Sequence, residues 1–482
     1  MNNMKTLPLS ILTALVISGC STLETVGDTV SSLNPFGGGD SLQGESYDDP
    51  SRISILELSE TLEVTGALQP SDVILPDPLL SNDWAQVGGN RAHALQRLSS
   101  DGELDKAWSK TIGKGSSAKG RILAPPVIQG DRLYIMDANN EIQALNADNG
   151  SRIWKHKIEI EDTGKTRLGR RSLFERVKDP LSFRDEGGLD KSGVGGGVAI
   201  VGNVVYATSG LGVVEALDAS TGESLWRQEL RVPLHSAPTV GDGRVFAISD
   251  DNELFSFDAQ TGETQWTYQA LIETARMLTL PAAAVVDDVV IAPFSSGELV
   301  ALRVQNGGVL WQDALQSGGR LTPLASLNDI AAGPVVADGY VIASAQSGVT
   351  NAFDLRTGQR VWSQPAGTLS FPWVAGDFVY AATTNGEIIC MSKIDGELVW
   401  LTQLENFKND KKRKDKIAWS GPVLVDDKLI VFSSQGVGME INPFDGSVIR
   451  EFKAGNGIFV APVFANGTLY VVSDGAKLTA YR

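Results

Sequence analysis

From about residue 81 onward the chain alternates short apolar runs with turn residues, and the alternation repeats. Ala124 to Trp154 reads APPVIQGDRLYIMDANNEIQALNADNGSRIW, and Ser236 to Trp266 reads SAPTVGDGRVFAISDDNELFSFDAQTGETQW. Each unit opens on a small residue and Pro, turns, and runs through β-branched and aromatic residues. It then turns again, reaches an apolar–Asp pair and ends on Gly-x-x-x-Trp. Further copies end at Trp226, Trp311, Trp362 and Trp400, Trp108 stands where a first would end, and Arg450 follows Gly446 at an eighth position. Steps of roughly 40–50 residues, with one longer gap before Trp226, belong to propellers or solenoids.

Each unit holds four short runs of Val, Ile, Tyr, Phe and Leu, separated by turn pairs such as Gly130-Asp131, Gly241-Asp242 and Asn385-Gly386. That pattern predicts a four-stranded antiparallel meander, and no helical apolar period of useful length competes with it. Meanders set radially leave only short, protected edges, so the expected fold is an all-β, eight-bladed β-propeller. Seven full units end at Trp154, Trp226, Trp266, Trp311, Trp362, Trp400 and Arg450. Phe459 to Arg482 supplies three more strands, and Leu104 to Ile112 (LDKAWSKTI) supplies the fourth from the start of the chain. The last blade is thus closed by N- and C-terminal strands. Residues 81–482 become one domain, where length alone suggests about three.

Two features of the repeat have a mechanism. In the Asp-x-x-Thr-Gly turns at Asp218, Asp258 and Asp354 the carboxylate can take backbone N–H groups two residues on, and Gly permits positive φ. The Trp four residues after that Gly belongs on the outermost strand, packed between neighbouring blades.

The first 80 residues carry no repeat. Lys5, the apolar run Leu7 to Ile17 and Ser18-Gly19 read as an export signal over residues 1–19, too short to span a bilayer. Val16-Ile17-Ser18-Gly19-Cys20 resembles the lipobox of bacterial lipoproteins, which implies lipidation at Cys20. Ser21, rather than Asp, follows it and implies sorting to the outer membrane. Residues 20–80, with Gly37-Gly38-Gly39 and many Ser and Asp, read as a lipidated flexible tether.

Composition narrows function more by exclusion than by assertion. Formal net charge is −17, which argues against nucleic acid or anionic lipid as a ligand, since both demand basic surface. Two Cys and three His give no disulfide framework and no metal-ligand spacing. His93, His156 and His235 are isolated, Cys390 lies in a β run, and Gly164-Lys165-Thr166 lacks the leading Gly of a phosphate loop. No active site emerges. Two segments break the repeat: a basic insert at about 159–191, and Asn409 to Lys416 (NDKKRKDK), both read as rim loops open to a partner.

From about Asn82 to Arg482 the repeats resemble the PQQ-like (WD40-like in blade architecture) eight-bladed propellers, and Trp84-Ala-Gln-Val-Gly-Gly-Asn90 resembles that family's entry motif. Quinoprotein dehydrogenases of this fold use an adjacent Cys-Cys pair and a calcium site, and no two Cys are adjacent here. With the lipobox, the chain is instead similar to the BamB family, lipoproteins of the outer-membrane β-barrel assembly (BAM) machinery. That resemblance implies a scaffold without enzymatic activity or cofactor, anchored at the periplasmic face of the outer membrane. Its partners would be BamA, other BAM subunits and unfolded outer-membrane precursors. It also implies a BamA-binding surface to which Arg276, five residues before Pro281, and Asp329 would contribute, on loops expected to share one rim and to lie outside the packing slots. A degenerate PQQ-dependent oxidoreductase and a periplasmic ligand-binding propeller stay open as alternatives.

Overall fold

The computed structural model of the chain describes residues 62–100, 102–117, 120–160, 193–230, 232–273, 277, 279–316 and 327–482. These form an eight-bladed propeller of four-stranded antiparallel sheets. Blade 1 steps outward from Val127–Gln129 through Arg132–Met136 and Glu141–Asn146 to Arg152–Lys157. Blades 2 to 7 begin at the inner strands Gly196–Val201, Thr239–Gly241, Ala284–Val286, Val335–Ala337, Trp373–Ala375 and Trp419–Val425. In blade 8, Val463–Ala465, Thr468–Ser473 and Lys477–Tyr481 are completed by Lys106–Thr111, which pairs with the last strand through Trp108 opposite Ala480. Both chain ends therefore share one sheet, as the repeat predicts. A separate hairpin, Phe407–Asn409 with Lys414–Lys416, stands on the connection from blade 6 to blade 7.

The hydrophobic core is divided into sectors between blades. Tyr134, Ile142, Val198 and Val205 fill the first, and Phe246, Val290 and Phe294 another. Each sector from blade 1 to blade 7 is closed at its outer end by one tryptophan. Trp154 of blade 1 donates its indole N–H to the Ala219 carbonyl of blade 2 at 2.9 Å. Trp226, Trp266, Trp311, Trp362 and Trp400 do the same to Ala259, Val304, Leu355, Lys393 and Pro443 of the following blade.

The ring of each Trp lies on the turn glycine of the next blade. A Cβ added at Gly222, Gly262, Gly307, Gly358, Gly396 or Gly446 would stand 2.5–2.9 Å from the preceding blade's Trp. Those glycines also have φ of 69–78°, a region that L side chains enter at a cost of about 1–2 kcal/mol. The Gly of Gly-x-x-x-Trp is thus the socket for one neighbour, and its Trp is the plug for the other. At Gly222, Gly262 and Gly358 the Asp four residues earlier holds the turn: Asp218 Oδ1 accepts from the Ser220 and Thr221 N–H groups at 2.8 and 2.9 Å, and Asp258 and Asp354 do the same in theirs. A β-bulge at the residue before the Trp, Leu225 and Val361 among them, turns that residue outward.

Arg450 occupies the plug position of blade 7 because blade 8 offers no socket. Its third-to-fourth-strand turn is where the chain is open, and Leu104 stands where the repeat would have Gly. Arg450 turns back onto Glu440 and over the Phe452 ring, and Phe452 meets Tyr481 of blade 8 edge-on at 6.1 Å.

Ser81 to Leu98 then laces the ring from inside. In order it bonds Asn466 of blade 8 (N–H to Ser81 O, 2.8 Å), pairs with Ile128 of blade 1 through Trp84, and accepts from Ile200 N–H of blade 2 at Ala85 O. The Gln86 carboxamide both donates to and accepts from Val240 of blade 3. Arg91 O and Ala92 O accept from Val285 and Val336 of blades 4 and 5, Gln96 from Gly376 of blade 6, and Leu98 pairs with Leu424 and Asp426 of blade 7. Inner-strand N–H groups that face no other strand are satisfied by this one segment. Residues 62–80, part of the expected tether, run on from the lace, with Val73 buried and the Leu79 N–H donating to Arg97 O. Residues 1–61, Cys20 among them, lie outside the described residues.

His93 sits in the lace at φ 58°, its Nδ1–H donating to Pro334 O at 2.7 Å. Burial pushes its pKa down to about 4, against the raising effect of that bond. The folded state resists a proton that the unfolded chain takes below pH 6.5. Stability should therefore be intact above pH 6.5 and fall as pH drops toward 4, by about 3 kcal/mol at most from this group. Denaturant midpoints from pH 7 to 4 should show a shallower decline for His93→Asn, which tolerates left-handed backbone. Equal slopes would remove the assignment. Gly222→Ala should cost about 2–5 kcal/mol through ring overlap and backbone together. Gly202→Ala, at φ 60° with open space around it, should cost only the backbone share, about 1–2 kcal/mol.

Candidate interaction face and central cavity

A radial meander has two unlike faces. One carries the turns between first and second and between third and fourth strands. The other carries the connections between blades. The lace covers the first, and a cavity of about 360 Å³ opens on the second.

Trp84, Val87 and His93 of the lace floor this cavity, while Phe371, Trp373 and Trp419 stand in its wall. Trp84 and Trp373 stack with ring centroids 6.2 Å apart, and Phe371 meets His93 edge-on at 4.7 Å. Because His93 Nδ1 carries its proton, Nε2 is a bare acceptor, and it is buried without a partner among the described residues, as are the indole N–H groups of Trp84 and Trp373. Arg121 and Asp474 supply the formal charges of the lining. The site can receive an apolar group, and it holds no pair of titratable side chains arranged for acid–base work. Among the described residues no group of three or more His, Cys, Asp or Glu could hold a metal ion. Cys390 is buried, and burial raises its thiol well above the ordinary range.

Of the residues singled out in the sequence, Asp329 is described and Arg276 is not. Asp329 lies on the connection from blade 4 to blade 5, and its Oδ2 accepts from the Met277 N–H, on the connection from blade 3 to blade 4, at 3.0 Å. Its own carbonyl accepts from Gln346 N–H at 2.9 Å. The two loops are therefore tied together on the connection face, and the residue next to Arg276 is the tie. Asp329 is on a loop and in no packing slot of the repeat, yet it is 3% exposed, because a carboxylate that satisfies a neighbouring loop's N–H must sit between the loops.

At the root of the long insert, Glu215 is buried between His156 Nε2 (3.2 Å) and Arg227 Nη1 (3.4 Å). Burial pushes its carboxyl up, and the bonds from His156 and Ser224, with Arg227 near, more than offset this and hold it below the usual range. Residues 161–192, most of that insert, lie outside the described residues.

The cavity was missed in the sequence although its signal was there. Seven of the ten Trp occupy the repeat slot. The three that do not, Trp84, Trp373 and Trp419, all line the cavity.

Comparison with known proteins bears on this face and this fold. A family model described as outer membrane protein assembly factor BamB matches residues 71–182 and 170–402. The assembly factor BamB of Burkholderia pseudomallei is 26% identical over 385 residues, covering 79% of this chain and 88% of that protein. That of Escherichia coli K12 is 26% identical over 378 residues, with 78% and 88% covered. Among solved structures, BamB from Moraxella catarrhalis matches with a TM-score of 0.61 at 18% identity, covering 79% of this chain and all of that one. The quinohemoprotein alcohol dehydrogenase of Comamonas testosteroni matches at 0.59 and 14%, covering 86% of this chain and 82% of that one, a likeness of fold alone. The family match runs from just before the lace, through the tied loops, to the last strand of blade 6, well over half the chain, and so the chain belongs to the BamB family of outer membrane protein assembly factors.

Proposed function

We propose that this chain is a scaffold subunit of the BAM machinery, held at the periplasmic face of the outer membrane by lipid on Cys20. It binds BamA through the connection face and assists insertion of β-barrel precursors without chemistry of its own. The observation that carries this reading is the family match over the laced ring and its tied loops. In support, Asp329 accepts from the N–H of Met277, the residue that follows Arg276 in sequence, and an Arg fork suits a carboxylate or carbonyl of BamA. Asp329 is then a positioning residue and Arg276 the contact.

The oxidoreductase alternative draws support from the fold it shares with quinohemoprotein dehydrogenases. The cavity does not fit such a cofactor. A quinone bearing several carboxylates needs cations in its wall, and among the described residues Arg121 is the single cationic lining residue. Incubation with PQQ and calcium followed by gel filtration should leave the protein without quinone absorbance; stoichiometric retention would favour the enzyme.

Capture of BamA's periplasmic domains tests the interface. Arg276→Ala should lower affinity by roughly thirtyfold, on the order of 2 kcal/mol, with an unchanged melting temperature. Asp329→Asn keeps an acceptor for Met277 N–H and should retain capture. Asp329→Ala leaves that N–H unpaired and should cost about 1–3 kcal/mol of stability. Undiminished capture by folded Arg276→Ala would place the interface elsewhere. Cys20→Ser should leave the protein unacylated and out of the outer-membrane fraction, and acyl chains on that variant would refute the anchor.

A further inference from the structure

The connection from blade 6 to blade 7 differs from the other described connections in folding on itself. Phe407–Asn409 pairs with Lys414–Lys416 about a 3-10 turn at Asp410–Lys412. The stem is fixed: Trp419 Nε1–H donates to Glu405 O at 2.9 Å, Ile417 N–H donates to Asn406 O at 2.8 Å, and Leu404 and Ile417 are buried. The tip is fixed as well. The Asn409 side chain caps Lys412 N–H at 3.2 Å, and the Arg413 guanidinium lies over the Phe407 ring at 5.5 Å. A charge run that needed only solvation would require none of these constraints.

The hairpin's charge runs against that of the whole chain, whose net charge is −17. Lys408, Lys411, Lys412, Arg413, Lys414 and Lys416 stand against Asp410 and Asp415, and all six cations are exposed. Lys408, Lys411, Lys412 and Lys414 pair with no carboxylate among the described residues. The hairpin stands on the connection face, since Ala418 and Trp419 at its base line the cavity. Its two neighbouring connections each expose an apolar side chain there: Leu369 (36% exposed) between blades 5 and 6, and Phe459 (54%) between blades 7 and 8. The turns of the opposite face carry Asp131, Asp242, Asp287, Asp338, Asp377 and Asp426.

We propose that this sector docks onto an anionic phospholipid surface. The hairpin's lysines take the headgroup phosphates, and Leu369 and Phe459 enter the acyl boundary on either side. Cations flanked by protruding apolar side chains match a bilayer, which offers diffuse negative charge above hydrocarbon. Lysines are compact point charges without the planar fork that recognises one defined carboxylate, so a diffuse anionic surface suits them better than a single acidic protein partner. A family of outer membrane assembly factors works where such a surface is at hand. The acidic opposite face would be turned away from it. The hairpin lies a quarter-turn round the ring from the loop before blade 5 and further from the loop before blade 4, with Leu369 on the connection between, so the lysines' role holds whichever partner those loops bind.

The test is co-sedimentation of the full chain, carrying Cys20→Ser so that no acyl chain contributes. The vesicles are phosphatidylcholine, alone or mixed seven to three with phosphatidylglycerol. The parent should bind the mixed vesicles much more tightly, and added salt should weaken that binding. Lys411→Gln/Lys412→Gln/Lys414→Gln should lower partitioning about a hundredfold at an unchanged melting temperature. Lys106→Gln/Lys110→Gln/Lys477→Gln removes equal charge from blade 8 and should change nothing. Leu369→Ser/Phe459→Ser should weaken binding to the mixed vesicles while leaving its salt dependence. Equal binding to both vesicles, or hairpin and blade 8 variants that behave alike, would overturn the proposal. So would a parent that ignores both vesicles while its hairpin lysines are needed to capture an acidic protein.

Discussion

The ring depends on a contact between one tryptophan and one glycine, made again at each blade junction from the eighth round to the seventh. From blade 1 to blade 6 the Trp at the outer end closes a hydrophobic sector, spends its indole N–H on the next blade's turn, and rests on a glycine whose missing Cβ is the space it fills, while Trp108 of blade 8 rests on Gly150 of blade 1 without that bond among the described residues. The glycine does a second task, taking the positive φ that the turn needs, and the preceding Asp fixes that turn through two backbone N–H groups. Socket and plug are four residues apart in the same strand–turn unit. Any error in one turn is therefore felt at two blade interfaces. The seventh junction, where the turn is replaced by the chain ends, gives up the tryptophan for Arg450 and an aromatic edge contact.

A ring built from nearest-neighbour contacts still has inner strands whose last N–H groups face the axis. The lace from Ser81 to Leu98 resolves this by visiting all eight blades in order, so one segment couples blades that do not touch each other. It also divides the axial space. It covers one face and leaves on the other a cavity floored by Trp84 and His93. The proposed interaction surface follows from that division. The face with the lace is made of short, uniform turns, and the connection face has loops free to differ. There Asp329 ties two loops together and the blade 6–7 connection grows a hairpin.

The sequence alone determined the repeat and everything local to it. Blade number, the four-stranded blade, the Asp-held turn, the Trp at each junction and the sharing of blade 8 between both ends could all be read, because each depends on residues within one short unit. The charge of 409–416 was equally plain, but its order was not, since that comes from Trp419 and Ile417 closing a stem. Cys20, proposed as the anchor, and Arg276, proposed as the contact, lie outside the described residues, and these roles rest on resemblance.

What only the tertiary structure decided are the contacts between residues far apart in sequence. The repeat announced both halves of the Trp–Gly contact without saying that each Trp meets the next blade's Gly, because that partner lies tens of residues away. Asp329, which the sequence placed only on a loop outside the packing slots, is buried, since its partner Met277 belongs to another connection. The three tryptophans outside the repeat slot, unremarkable one by one, meet only when the ring closes, and Trp84 reaches Trp373 across its axis. Local pattern fixes a blade, but a cavity and a face exist only where several blades and the lace converge, and no window of sequence contains that convergence.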